Sequence, residues 1–91
     1  MITAVVLIEA DRDQYAKLGA VLADVPGVAE AYSVTGGWDF VALVRVPRHE
    51  MLATVISDRI ANLPGVTRTQ TMVAFEAFSK HDLEAMFDVG N

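Results

Sequence analysis

The feature that most constrains the fold is an internal repeat: Leu-Ala-Asp-Val-Pro-Gly-Val at 22–28 is echoed by Ile-Ala-Asn-Leu-Pro-Gly-Val at 60–66. The two Pro-Gly-Val tripeptides lie 38 residues apart. Each follows an amphipathic helical stretch and precedes a strand, and another strand pattern lies upstream of each helix, at 3–10 and 39–46. Proline disfavours helical geometry at the residue before it, and glycine permits a turn. The chain is therefore predicted to run β-α-β twice.

Apolar residues at helical spacing support both helices. The two stripes are Tyr15, Leu18, Val21, Leu22 and Val25, and then, after Pro47, Leu52, Val55, Ile56, Ile60 and Leu63. Asp11 and Gln14 resemble a capping box at the start of the first helix. A short third helix is predicted at 80–87, with Ser79 as its cap.

Two split β-α-β units predict an α+β, ferredoxin-like βαββαβ fold, a four-stranded antiparallel sheet with two helices on one face and the short C-terminal helix added. Right-handed crossovers place the first and third strands centrally. Both faces of these strands are apolar, whereas the helices cover only one. Residues on one face alternate with those on the other: Ala4, Val6 and Ile8 with Val5 and Leu7 in the first strand, and Phe40, Ala42, Val44 and Val46 with Val41 and Leu43 in the third. A composition of 53% hydrophobic residues, with mean hydropathy +0.35, is also rich for a soluble monomer. We therefore expect one domain over 1–91 that dimerises through its sheet.

Composition also bears on function. A net charge of −5 with seven scattered basic residues does not favour direct nucleic-acid binding. No apolar run approaches the roughly 20 residues of a membrane helix, and no secretory signal precedes the first strand, so a cytoplasmic location is expected. The chain has no cysteine, which excludes disulfides and thiolate metal sites. His81 and Glu84 are one helical turn apart, but without further ligands we predict no metal, no cofactor and no catalytic residue.

The segment Val-Thr-Gly-Gly-Trp-Asp at 34–39 joins two predicted strands and holds the only tryptophan. Paired glycines are typical of a two-residue hairpin loop, in which both central residues need a positive φ. On the residues alone, a plain turn and a binding site both remain open for this segment. An enzymatic alternative, a small monooxygenase-like protein with a pocket between sheet and helices, would use Trp38, Tyr32 and His49.

Three motifs, in this order and spacing, resemble the effector-binding domain of the Lrp/AsnC family, also called the regulation-of-amino-acid-metabolism domain. They are Val-Thr-Gly-Gly-Trp-Asp at 34–39, Val-Arg-Val at 44–46 and Leu-Pro-Gly-Val-Thr-Arg-Thr-Gln-Thr at 63–71, and the resemblance covers residues 2–78. It implies sheet-mediated dimers, ring-like higher oligomers and a small amino-acid effector bound between dimers. The ligand-binding residues that it implies are Thr35, Gly36, Gly37, Trp38, Asp39, Thr69 and Thr71.

Most members of the family also carry a helix-turn-helix domain, and this sequence resembles the versions that lack it. The resemblance therefore implies a stand-alone amino-acid-sensing or oligomerisation module that affects transcription or assembly through a partner, which could be a full-length Lrp/AsnC regulator. A single acidic residue and an aromatic wall suggest a neutral amino acid. A pure assembly partner without a working ligand site is a further alternative, in which the glycines would make only a turn.

Overall fold

The computed structural model describes residues 1–80 and has the predicted β-α-β-β-α-β order. Strands β1 (Ile2–Ala10), β2 (Val28–Ser33), β3 (Phe40–Val46) and β4 (Val66–Val73) form one antiparallel sheet in the order β2-β3-β1-β4. The prediction that the first and third strands are central is confirmed. The predicted helix at 80–87 lies, apart from its first residue, outside the described residues.

The first helical region begins with a 3-10 turn, Arg12–Gln14, and continues as helix α1, Tyr15–Asp24. The capping box expected here is not formed, because the side chain of Asp11 makes no capping hydrogen bond. The Asp11 N–H instead donates to the carbonyl of Gly65 at 2.7 Å. This contact ties the start of the first helix to the end of the second.

The second helical region is α-helical at Met51–Ala53 (α2) and π-helical at Thr54–Ile60. The wider turn is visible in the bond from the Ala61 N–H to the Ile56 carbonyl, at 2.9 Å. Val55 and Ile60 are both fully buried although they are five residues apart, which fits the i→i+5 spacing of a π-helix. The sequence pattern predicted the helix but not this change of pitch. Among residues 1–80, no helix is long and apolar enough to cross a membrane.

The core lies between the helices and one face of the sheet. Its buried side chains come from β1, β3 and both helical regions: Ala4, Val6, Ile8, Leu18, Leu22, Val25, Phe40, Ala42, Val44, Val46, Leu52, Val55 and Ile60. Burial of apolar surface of this kind stabilises by about 25 cal/mol per Å². The helix-facing positions of β1 and β3 are thus the alternate residues that the sequence pattern assigned to one face.

The opposite face, called here the open face, carries the intervening residues. Val5 pairs with Leu43, and Leu7 pairs with Val41, in the β1–β3 register. These four side chains are only half-buried. Tyr32 on β2 and Met72 on β4 extend the same apolar surface and are 48% and 47% exposed. Residues 1–80 therefore leave an apolar sheet face uncovered, as the two-faced apolar pattern predicted.

The two Pro-Gly-Val segments have the same structural role, which is to let the two helical regions pack closely. Gly27 and Gly65 have φ of +101° and +95°, a conformation that side chains with a Cβ rarely adopt. A Cβ on Gly27 would meet Val55 of the second helical region, and one on Gly65 would meet Gln14 of the first. Each glycine therefore lets the end of one helical region pack closely against the other.

Candidate functional site

The turn between β2 and β3 is closed by the Val34 N–H, which donates to the Asp39 carbonyl at 3.0 Å. The loop proper is therefore 35–38, four residues rather than the two expected of a paired-glycine hairpin. Gly36 has φ of +104°, whereas Gly37 is not among the positive-φ glycines of the described chain. Thr35, Gly36 and Gly37 are all exposed, and a Cβ on either glycine would meet open space. The interpretation that both glycines need a positive φ is wrong.

Asp39 is held much more firmly than the loop tip. Its N–H donates to the Ile8 carbonyl at 2.9 Å, which extends the pairing of β3 with β1 by one residue. Its carboxylate Oδ2 accepts a hydrogen bond from the Ala10 N–H at 2.8 Å. A hydrogen bond to a charged acceptor is stronger than one between neutral groups. The half-buried Asp39 side chain therefore has a fixed orientation at the end of β1.

A groove of about 530 Å³ opens beside this carboxylate. It is lined by Ala10, Arg12, Tyr15, Ala16 and Asp39, which come from the end of β1, the 3-10 turn, the start of α1 and the residue before β3. The Tyr15 ring packs against the Phe40 ring with centroids 4.9 Å apart. Small-molecule sites commonly occupy roughly 300–1,000 Å³. The groove thus has the size and the mixed polar and aromatic lining of a small-ligand site.

Trp38 belongs to a different cluster, although it is the neighbour of Asp39. The guanidinium carbon of Arg68 lies 4.3 Å from the centroid of the half-buried Trp38 ring. Arg68 also forms an ion pair with the Glu9 carboxylate at 3.4 Å, and the Thr67 hydroxyl donates to both the Glu9 carbonyl and its carboxylate, at 3.0 Å each. These contacts join the β2–β3 turn to the start of β4. Trp38 therefore has a structural partner within its own chain.

Thr69 and Thr71 lie on edge strand β4 and pair with Ile8 and Val6 of β1. Because cross-strand partners point to the same side, both threonines face the helical side of the sheet. Thr69 is half-buried and Thr71 is exposed. Strand β1 separates them from Asp39, a separation of two strand spacings or about 10 Å. Among residues 1–80, the groove lining includes Asp39 but neither of the two threonines.

The residues of the enzymatic alternative are not brought together. Tyr32 pairs with Val41 on the open face, rather than lining a space between sheet and helices. His49 is exposed and follows the far end of β3, whereas Trp38 precedes its near end. The space between sheet and helices is filled by the buried core. Within residues 1–80, no group of three or more His, Asp or Glu side chains could hold a metal, and His81 and Glu84 lie outside that range.

Sequence reasoning missed the groove-lining role of Arg12, Tyr15 and the two alanines. The helical period assigned Tyr15 to an apolar stripe, and it gave no reason to connect the first helix with a turn about 25 residues later. One signal was present in the sequence. Charged Arg12 and aromatic Tyr15 lie at the start of a helical region that directly follows central strand β1. That strand end and the β2–β3 turn must meet when β1 pairs with β3.

The sequence matches the family model of the Lrp/AsnC ligand binding domain over residues 3–83. An uncharacterized HTH-type transcriptional regulator of Pyrococcus abyssi is 32% identical over 77 residues, which are 81% of this chain and 51% of that protein. The chain thus spans about half the length of the curated relatives that it matches. Those curated relatives are described as transcriptional regulators rather than as enzymes.

Solved structures of other proteins share this fold. The crystal structure of TTHA0845 from Thermus thermophilus has 48% sequence identity and a TM-score of 0.82, and the match covers 88% of this chain and all of that one. The feast or famine regulatory protein Rv3291c of M. tuberculosis, complexed with L-methionine, has 30% identity and a TM-score of 0.73. That match covers 88% of this chain and 54% of the other. The predicted ferredoxin-like fold is thereby confirmed.

Proposed function

Since this chain belongs to the Lrp/AsnC ligand-binding domain family, we propose that it senses a small amino acid, which binds beside the β2–β3 turn and changes how copies of the chain assemble. The observation that carries the proposal is the fixed carboxylate of Asp39 at the edge of a groove of ligand size. The similarity to a regulator complexed with L-methionine supports an amino acid as the ligand class.

The groups at the turn suit a zwitterion. Asp39 uses Oδ2 for the Ala10 amide, and no described residue occupies its other carboxylate oxygen, Oδ1. An ammonium group can donate to that oxygen in a charge-assisted hydrogen bond. The exposed loop of Thr35, Gly36 and Gly37 offers a hydroxyl and main-chain groups without side chains that would obstruct approach.

The open face supports assembly through the sheet. Val5, Leu7, Val41 and Leu43 form its centre, and a contiguous apolar surface on a small domain marks an interaction site. A second copy can cover this face with its own, which is the self-complementary arrangement of a two-fold dimer. Phe75 and Phe78 beyond β4 are also largely exposed, 101% and 75%, and add to the surface that a neighbour could cover.

Higher assembly would complete the ligand site. Thr69 and Thr71 are separated from Asp39 in one chain, so they contribute to the same ligand only if a neighbouring dimer presents them. Such a shared site gives a simple mechanism of sensing. A ligand that contacts two dimers shifts the equilibrium toward the larger ring by the difference between its affinities for the two states. Regulation of transcription would then pass through a partner, such as a full-length relative, that co-assembles with this chain.

The first experiment is thermal unfolding of the protein against each of the twenty amino acids at millimolar concentration. A ligand at about 100 times its Kd adds about 2.7 kcal/mol of stability. For a domain of this size, 1 kcal/mol corresponds to a shift in Tm of roughly 4–8 °C. Fluorescence of Trp38, the only tryptophan, gives an independent titration because it is the neighbour of Asp39.

Asp39→Asn is the matched variant, because an asparagine oxygen can still accept from the Ala10 N–H while the negative charge is lost. We expect an intact fold and dimer with a ligand response at least about tenfold weaker, which is the consequence of losing a charge-assisted bond. Asp24→Asn, an exposed carboxylate at the end of α1, is the control and should respond as the unmodified protein does. A flat response of the unmodified protein to all twenty amino acids would reject the sensor and favour a pure assembly partner.

A further inference from the structure

The groove beside Asp39 has a second charged side chain that the family resemblance does not assign. Arg12 is exposed and lines the same groove, and its side chain has no hydrogen-bond or ion-pair partner among residues 1–80. The other walls are apolar or aromatic: Ala10, Ala16 and the Tyr15 ring. The groove therefore carries one positive and one negative group on otherwise apolar walls.

The backbone that carries Arg12 is fixed on both sides. The Asp11 N–H donates to the Gly65 carbonyl at 2.7 Å, and the Gln14 N–H donates to the Asp11 carbonyl at 3.1 Å. Gln14 also packs directly against Gly65, where a Cβ would clash with its Cβ and Cγ. A long, exposed arginine side chain thus extends from a rigid 3-10 turn. The rigid turn limits the main-chain entropy, though not the side-chain entropy, that is lost when the guanidinium binds a ligand.

The acidic and aromatic residues of the groove are also held by contacts. Asp39 is held through its main chain by Ile8 and through its carboxylate by Ala10. Tyr15 is held by ring packing against Phe40, the residue that follows Asp39. Because Asp39 and Phe40 are adjacent in the chain, the position of the Asp39 carboxylate is linked to that of the Tyr15 ring.

From this arrangement we propose that the groove supplies one chain's share of the ligand site that a neighbouring dimer completes, with Arg12 bound to the α-carboxylate of the amino acid and Asp39 bound to its ammonium group. This inference rests on the proposed function and assigns Arg12 and Tyr15 as additional ligand-binding residues. A guanidinium pairs with a carboxylate through two parallel N–H donors, which makes the contact directional. The ligand's side chain lies along Tyr15 and the two alanines, so the ligand class is an α-amino acid with an uncharged, largely apolar side chain.

The charge assignment is tested by comparing an amino acid with its carboxamide, which lacks the carboxylate. The probes are the L-amino acid that stabilises the protein most among the twenty, and the carboxamide of that amino acid. The unmodified protein should prefer the acid by at least about tenfold. Arg12→Gln should remove that preference by weakening binding of the acid and leaving binding of the carboxamide within about twofold. Arg48→Gln, which removes an exposed arginine near the far end of β3, is the matched control and should keep the preference.

The location is tested by filling the groove. Ala16→Leu adds a large side chain at an exposed helical position, and leucine has nearly the helix propensity of alanine, so the fold should be retained. We expect binding of the same L-amino acid to weaken at least about tenfold, as in a pocket whose volume is occupied. Ala23→Leu, also exposed on α1 but away from the groove, is the control.

The outcomes separate this inference from the proposed function. If the unmodified protein binds an amino acid and both Arg12→Gln and Ala16→Leu bind it equally well, the groove assignment is overturned while the sensor stands. If the unmodified protein binds none of the twenty, both fail. If Asp39→Asn loses binding while Arg12→Gln binds as before, Asp39 remains the ammonium contact and the assignment of Arg12 to the carboxylate is overturned.

Discussion

Replacing Gly27 with alanine should destabilise the protein more than the same change at Gly36, and Gly36→Ala more than Gly37→Ala. The three glycines differ in two properties that the structure separates. Gly27 has φ of +101° and a Cβ there would lie 2.5 Å from Val55 Cγ2. Gly36 has φ of +104° but open space around the Cβ position, and Gly37 has open space without the positive φ.

The magnitudes follow from these two properties. A non-glycine residue held in a sparsely populated backbone region costs about 1–3 kcal/mol, which is the whole cost expected at Gly36. Gly27→Ala adds the cost of overpacking, about 1–3 kcal/mol, for a total of about 2–6 kcal/mol. Val55 cannot easily move aside, because it is 1% exposed and β-branched side chains are stiff at χ1. Gly37→Ala should lie near zero or stabilise by about 0.4–1 kcal/mol through the unfolded state.

Urea denaturation followed by circular dichroism measures the series, with protein concentration held fixed because the proposed dimer would unfold in a concentration-dependent way. Equal stabilities of Gly36→Ala and Gly37→Ala would refute the argument from φ. A Gly27→Ala variant no less stable than Gly36→Ala would refute the close packing of the Pro-Gly-Val segment on the second helical region.

Three other predictions concern the core, the turn and the open face. Leu22→Ala should destabilise by about 2–5 kcal/mol, measured by the same denaturation, because Leu22 is fully buried in the core. Arg68→Ala should shift Trp38 emission to longer wavelength and cost no more than about 1 kcal/mol, since Arg68 is exposed where it contacts the Trp38 ring and the Glu9 carboxylate. Arg45→Ala should leave the emission unchanged, because Arg45 has neither kind of contact with residues 1–80. Leu43→Asp should convert the proposed dimer to a monomer in sedimentation at micromolar concentration, whereas Lys17→Asp, at an exposed position of α1, should not. A monomeric unmodified protein would contradict the proposed interface.

Much of the fold could be predicted because its signals are local. The alternation of Ala4, Val6 and Ile8 with Val5 and Leu7 identified a strand with two apolar faces, and the Pro-Gly-Val repeats marked both helix ends. The structure places the first set in the core and leaves the second half-exposed, as that pattern predicted. The capping box at Asp11 was wrong because the main chain of that residue bonds to Gly65, a partner 54 residues away that no local pattern can show.

The candidate site was harder to predict from the sequence, since its residues come from separate segments of the chain. The sequence drew attention to the turn, and its resemblance to the family singled out Asp39. The sequence pattern also determined the repeat, the strand order and the two apolar sheet faces, because these depend on side-chain period and chain connectivity. Only the tertiary structure decided that Asp39 and Trp38 join different clusters and that Arg12 and Tyr15 share a groove with Asp39. Local patterns fix which way neighbouring side chains alternate, whereas hydrogen bonds such as that from Ala10 to Asp39 form only after β1 and β3 have paired.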